Sequence, residues 1–274
     1  MTPKTEEKIQ QSIKILQAVQ KTMLFPDEPI ELGYSGGKDS DVILHLAKEA
    51  GINVLPIYKN TTIDPPGTIQ HAIDNGAKII RPKRSFFEII DAKGYPSRFH
   101  RFCCEELKEY KISDTCIMGI RKDESSKRDK NYSEPIACRV YKNGRIDGVY
   151  PILYWNTEDV EEYIKDRQIQ CAPVYYENGI FNVHKRLGCM CCPLAGRRIR
   201  IEEFKKYPGM LKAYLKHGEI YFNTHPNVKA VRDFPSAAHY LFLNIYCDDM
   251  EQYNKLTAGL DVKQYLSDQF KIDL

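Results

Sequence analysis

Tyr34-Ser35-Gly36-Gly37-Lys38-Asp39-Ser40 is the stretch on which the reading of the fold turns. Gly36 and Gly37 accept backbone angles that other residues avoid, so their N–H groups can turn inward around an anion. Ser35 and Ser40 add hydroxyl donors, Lys38 a positive charge, and Asp39 a carboxylate suited to magnesium. Just upstream, Glu31 to Tyr34 reads as a short strand. Just downstream, Asp41 to Ala50 reads as a helix stopped by Gly51, and a helix starting near Ser40 or Asp41 aims its positive end at the loop. The spacing is not that of a Walker A loop. An anion site between strand and helix is therefore weighed against a plain polar turn ahead of a surface helix, and the strand–loop–helix setting favours the anion site.

Working outward, the same rhythm continues on both sides. Residues Glu6 to Met23 place Ile9, Ile13, Leu16 and Val19 near helical spacing, with Pro26 and Pro29 to end the helix. Ile52 to Tyr58 reads as a buried strand blemished by Pro56, and Pro65-Pro66 as a turn. Thr68 to Asn75 reads as a helix stopped by Gly76, then Lys78 to Pro82 and Thr115 to Ile120 as further strands. A helix opens at Asn156 or Thr157, capped by one of them, and runs to about Arg167. Alternating strands and helices predict an α/β fold: a doubly wound, mostly parallel sheet with flanking helices. Beyond about Ile201 the pattern becomes helices broken at Pro208-Gly209, Pro226 and Pro235. The expected organisation is an N-terminal helix over 1–29, a sheet domain over 30–200 and a small helical C-terminal appendage over 201–274.

Composition bounds the function classes. The 274 residues are 42% hydrophobic and 28% charged, enough to bury a real core. A formal charge of +3, from 40 basic and 37 acidic residues, is too small to mark a nucleic-acid binder by itself. No apolar run approaches the ~18 residues of a membrane span, and no signal-peptide segment opens the chain. Nine cysteines without an export signal argue for reduced or ligating thiols and a cytoplasmic location.

Cys103 and Cys104 are adjacent, and Cys189 and Cys192 form a C-x-x-C pair with Cys191 inside it. Four such thiolates can close around one metal centre. Structural zinc and an iron–sulfur cluster both take four cysteines, and spacing alone does not choose between them. Cys116, Cys138, Cys171 and Cys247 show no partner pattern and read as inert thiols.

The Ser35–Ser40 hexapeptide is similar to the signature of the PP-loop ATP pyrophosphatases (a HUP-like fold). Within them the chain resembles the phosphoadenosine-phosphosulfate reductase family, through separate motifs in order from about Leu32 to Pro193. Besides the loop these are the Asn60-Thr-Thr62 segment, Arg101-Phe-Cys103-Cys104 through Lys108, Gly119-x-Arg121-x-x-Glu124-Ser125 with Arg128, and Gly188-Cys189-x-x-Cys192-Pro193. The Pro151–Val160 segment with Trp155 also matches, Trp155 reading as a packing residue. The resemblance implies ATP with magnesium as cofactor, or a related adenine nucleotide. It implies Ser35, Gly36, Gly37, Lys38, Asp39, Ser40, Asn60, Thr62, Arg121 and Arg128 as nucleotide contacts, with Lys38, Asp39 and Arg121 as the catalytic set. Thr62 stands where the family has glycine. The resemblance also implies a 4Fe–4S cluster on Cys103, Cys104, Cys189 and Cys192, with zinc as the alternative, and places Arg101 and Lys108 near the cluster or substrate anions.

Reductases of the family attack sulfur with a cysteine in a C-terminal Glu-Cys-Gly-Leu-His tail. This chain ends Gln269-Phe-Lys-Ile-Asp-Leu274, and its last cysteine is Cys247. The leading expectation is therefore an ATP-using adenylylation or sulfur-transfer enzyme that releases pyrophosphate. Its partners would be a sulfur-donor protein and a nucleic-acid acceptor, as in tRNA thiolation or DNA phosphorothioation. A true sulfonucleotide reductase with a thioredoxin-like reductant is the alternative, and a nucleotide-sensing protein without catalysis is the third. Arg197, Arg198 and Arg200, with Lys185 and Arg186, could balance a cluster's charge, meet a polyanion, or form a solvated face.

Overall fold

The computed structural model describes residues 1–22, 27–97 and 100–273. The chain divides into two compact units that interleave in sequence. One comprises Met1–Asn60, Asp64–Arg81 and Lys108–Leu187, the other Thr61–Ile63, Pro82–Leu107 and Gly188–Leu274. This grouping differs from cuts at 29 and 200: the opening helix belongs with the sheet, and 82–107 and 188–200 belong with the C-terminal helices.

The first unit holds α1 (Pro3–Thr22), β1 (Ile30–Gly33), α2 (Lys38–Glu49), β2 (Val54–Lys59), α3 (Thr68–Asp74) and β3 (Lys78–Ile80). Met23 and Pro26, expected at the end of α1, lie outside the described residues. In the second unit follow α4 (Phe86–Lys93) and α5 (Phe102–Leu107). The first unit resumes with β4 (Thr115–Met118), α6 (Ser126–Asn131), β5 (Ile136–Tyr141), β6 (Gly144–Val149), α7 (Thr157–Asp166) and the short β7 (Tyr176–Glu177) and β8 (Ile180–Phe181). The second closes with α8 (Arg197–Lys206), α9 (Pro208–Thr224), α10 (Lys229–Arg232), α11 (Ala237–Tyr246), α12 (Met250–Thr257) and α13 (Val262–Phe270).

Six strands form one sheet in the order β3-β2-β1-β4-β6-β5, parallel except for the β5–β6 hairpin. The chain winds outward from β1 in one direction, then crosses back to place β4 on its other side. This is the doubly wound α/β fold expected, and its switch point lies between β1 and β4, where ligands gather in such sheets. Pro56 is tolerated because pairing with β3 starts one residue later, at Ile57.

Ile30 and Leu32 of β1 and Ile117 of β4 face a core with Val42, Ile43 and Leu46 of α2, Ile9 and Leu16 of α1, and Trp155, Val160 and Tyr163. Trp155 is buried and donates to Ser12 Oγ at 3.0 Å, a packing role as expected. Asn156 caps α7 in a reciprocal box with Asp159. In the second unit a separate core forms around Phe86, Phe204, Tyr214, Phe222, Phe242 and Phe270. Its α4, which carries a Ser85–Glu88 capping box, together with α5 and the β5–β6 hairpin of the first unit, goes beyond the elements read from sequence.

Candidate functional site

The loop Ser35–Ser40 joins the end of β1 to α2, and α2 begins at Lys38, earlier than Ser40 or Asp41. The reason is local. Gly37 takes an extended N-cap conformation, and its carbonyl accepts the N–H groups of Ser40 at 2.9 Å and Asp41 at 3.0 Å. Lys38 and Asp39 thus occupy the first turn, where the amides lack helical partners and the dipole favours an anion. Gly36 sits at φ +72°, and a Cβ there would lie 2.8 Å from Thr68 Cγ2. The loop therefore excludes any side chain at Gly36 twice over. Ser40 Oγ donates to Gly37 O at 2.7 Å and lies 3.4 Å from Ser35 Oγ.

Lys38 and Arg121 are both buried, and both reach Asp39. Lys38 Nζ stands 3.3 Å from Oδ2, and Arg121 Nε donates to Oδ1 at 2.7 Å. Gly119, after β4, lies so close to Asp39 that a Cβ would approach its backbone at 3.2 Å. The end of β4 is thereby pressed against the first turn of α2. Arg121 also reaches Asp123 at 3.4 Å. Arg128 pairs with Glu124, whose other oxygen lies 3.8 Å from Arg186. Burial, and then the charges of Arg186 and Arg121, push the Arg128 pKa down. Guanidiniums that repel one another in this way gain from an incoming anion.

Of the remaining nucleotide candidates, Asn60 extends β2 and donates its N–H to Ile80 O at 3.0 Å. Thr62 belongs to the other unit. Its φ of +65° is the left-handed conformation glycine adopts freely, and a β-branched residue there is strained. Its Oγ1 accepts the N–H of Phe86 at 2.8 Å, so its side chain serves the start of α4.

The four cysteine candidates all fall in the second unit. Hydrogen bonding to Cys104, burial, and the charges of Cys104, Cys192 and Cys189 push the Cys103 pKa far up. Burial raises Cys192 too, aided by Cys189 and Cys104, while amides of Leu194 and Ala195 oppose it by bonding to the sulfur. Four thiols that feel one another, one of them already served by backbone donors, suit a four-thiolate centre in donor chemistry. Among the described residues, no three His, Cys, Asp or Glu side chains are arranged to hold a metal ion. Cys191, at φ +51°, is buried in the aromatic core that also holds Cys103. Cys191 also feels the charge of Cys192. Cys138 is exposed, and Cys116 and Cys171 are buried.

A family model for the phosphoadenosine phosphosulfate reductase domain matches residues 29–195. The chain belongs to this family. An uncharacterized protein of Methanocaldococcus jannaschii is 29% identical over 209 residues, covering 68% of this chain and 48% of that protein. Sulfate adenylyltransferase subunit 2 of Chromobacterium violaceum is 27% identical over 187 residues, covering 55% of this chain and 59% of that one. The chain thus spans about half the length of the curated relatives it matches. A crystal structure of phosphoadenylyl-sulfate reductase from Candida auris aligns with a TM-score of 0.46 and 16% identity, over 69% of this chain and 96% of that one.

Several groups around the loop carry no motif. Asp41, next after the hexapeptide, is buried and bonded by Tyr34 Oη and, at 2.9 Å, His71 Nε2. Lys38 Nζ lies 5.5 Å from the centre of the buried Tyr175 ring. A cavity of about 160 Å³ beside Ser35 is walled by Glu31, Gly33, Lys59, Cys116 and Tyr141. Lys59 donates to the carbonyls of Lys108 at 3.3 Å and Tyr110 at 2.5 Å, and burial lowers its pKa. Burial, helped by Glu31, pushes the Cys116 thiol up to about 12. Asp41 could have been suspected from its place in the sequence; nothing local marks His71, Tyr175 or Lys59.

Proposed function

We propose that the chain binds Mg-ATP at the Ser35–Ser40 loop, adenylylates an oxygen of an acceptor with release of pyrophosphate, and so prepares that acceptor for sulfur transfer. The observation that carries this reading is the pair of buried cations, Lys38 and Arg121, converging on Asp39 at the first turn of α2. The amides of the first turn of α2 and two cations match the phosphates, and Asp39, released from its ion pairs by the incoming charge, is the group to meet magnesium. The acceptor oxygen attacks the α-phosphorus as the bond to pyrophosphate breaks; a sulfur nucleophile then displaces AMP. Ser35, Gly36, Gly37 and Ser40 hold phosphate oxygens in this reading, Arg128 assists Arg121, and Asn60 lies at the nucleoside end. The name of the Chromobacterium relative, a sulfate adenylyltransferase subunit, supports adenylyl chemistry.

Cys103, Cys104, Cys189 and Cys192 would hold a 4Fe–4S cluster, which would supply redox or sulfur-binding chemistry when present. Zinc is the other occupant such a donor set allows. A sulfur-donor protein and a nucleic-acid acceptor complete the proposed partners.

Reductase chemistry would need a ready thiolate. Burial raises the Cys247 pKa, and Asp248 and Asp249 add to it against the opposing charge of Arg197. That thiol is poorly prepared for attack. The deciding experiment incubates anaerobically purified protein with Mg-ATP and candidate acceptors. AMP and pyrophosphate formed in equal amounts are expected, and absence of Mg-ATP binding overturns the reading.

A further inference from the structure

We propose that Asp41, Tyr34 and His71 form a brace that sets the phosphate loop, which makes Tyr34 and His71 positioning residues for nucleotide binding. The proposal rests on the Mg-ATP reading above and names three residues outside the hexapeptide's anion contacts. Asp41 is only 3% exposed, and a carboxylate so buried is retained at a cost unless it is well partnered. Two donors, Tyr34 Oη and His71 Nε2, converge on one oxygen, Oδ1, while Oδ2 is buried without a hydrogen-bond partner among the described residues. Tyr34 Oη comes from the residue that follows β1, one before the loop, and His71 Nε2 from the middle of α3, at 2.9 Å.

The backbone of the same residue closes the loop. Asp41 N–H donates to Gly37 O at 3.0 Å, the carbonyl that Ser40 N–H and Ser40 Oγ also use. Fixing the Asp41 side chain therefore fixes the carbonyl of Gly37 and the direction of the amides that follow it. The helix bearing His71 touches the loop a second time, where Thr68 Cγ2 fills the space a Gly36 side chain would need. Strand end, first helical turn and α3 are thus tied at one buried carboxylate. A loop held in its binding shape before the ligand arrives binds more tightly than one that must be ordered on binding.

The test measures Mg-ATP affinity of the full chain by equilibrium dialysis, with melting temperatures as a folding check. His71→Ala should weaken binding about tenfold, as deletion of one member of a coupled network does. His71→Gln presents an amide donor near the place of Nε2 and should recover most of that loss. In an Asp41→Ala background, His71→Ala should add nothing. In nucleotide-free protein, amide hydrogen exchange across residues 36–41 should be faster in His71→Ala and in Tyr34→Phe than in wild type. Unchanged affinity with unchanged exchange overturns the brace, as does a full His71→Ala effect that persists without Asp41. Should wild type fail to bind Mg-ATP, the proposed function falls, and the exchange measurement still decides the brace.

Discussion

Lys38 holds its ammonium in a buried position with Asp39 as its nearest counter-charge. A charge-assisted contact to phosphate in such a place is worth about 1.5–3 kcal/mol, so Lys38→Ala should weaken Mg-ATP binding by roughly ten- to 150-fold. Equilibrium binding checks this, and an unchanged affinity would remove Lys38 from the site. At the same scale, the cysteines sort by what surrounds each sulfur. Anaerobically purified protein should carry iron and sulfide near four each per chain, as a 4Fe–4S centre requires. Cys103→Ser and Cys192→Ser should lose them, while Cys138→Ser, exposed on β5, and Cys191→Ser, in the aromatic core, should keep them. A colourless protein with stoichiometric zinc would decide for the other metal. The spacing of the four cysteines was legible because it is written in the chain. The burial of Cys191 was not, because the aromatic core around it is built from helices far along the chain.

Among elements, α7 shows how one side chain can serve two purposes. Asp159 closes the capping box with Asn156 and also receives Thr5 Oγ1 at 3.1 Å and the ammonium of Lys8, both on α1. Burial alone would raise its pKa, but Lys8, the Asn156 amide and Thr5 outweigh that and hold it below the ordinary range. A depressed carboxylate pKa stabilises the fold above the unfolded value, near about 3.9, and the contribution is lost as pH falls through the folded value. Lys8→Met should therefore lower the melting temperature at neutral pH, and the gap to wild type should close as the solution is acidified through the folded value. A gap independent of pH would mean the Lys8 stem, and not its charge, does the holding. The capped start of α7 was readable in Asn156-Thr-Glu-Asp159; its anchorage to α1 was not, since the partners lie more than 150 positions apart.

At the scale of the whole molecule, Cys247 is a thiol on which sulfite release can be tested. Its surroundings push its pKa up. Cys247→Ser should leave the main activity nearly intact, ATP should yield AMP and pyrophosphate with the right acceptor, and phosphoadenylyl sulfate with thioredoxin should yield little sulfite. Abundant sulfite lost in Cys247→Ser would reverse the assignment in favour of a reductase. Among the described residues, no helix is long and apolar enough to cross a membrane.

The amino-acid sequence by itself determined the strand–loop–helix around Gly36-Gly37, the parallel α/β class and the four spaced cysteines. Each rests on interactions within a few residues: backbone angles open to glycine, alternation of apolar positions, and stops at proline and glycine. Only the tertiary structure decided that Arg121 would meet Asp39, that His71 would meet Asp41, and that Lys59 would be tied to the segment after α5. Those meetings depend on β4 lying beside β1 and on the fold returning α3 to the loop. Strand order is set by the burial of whole faces across the chain, and no local propensity encodes it. The same cause interleaves the two units, because the chain leaves the sheet after Asn60 and again after Arg81, and the partners of each excursion lie far along the sequence.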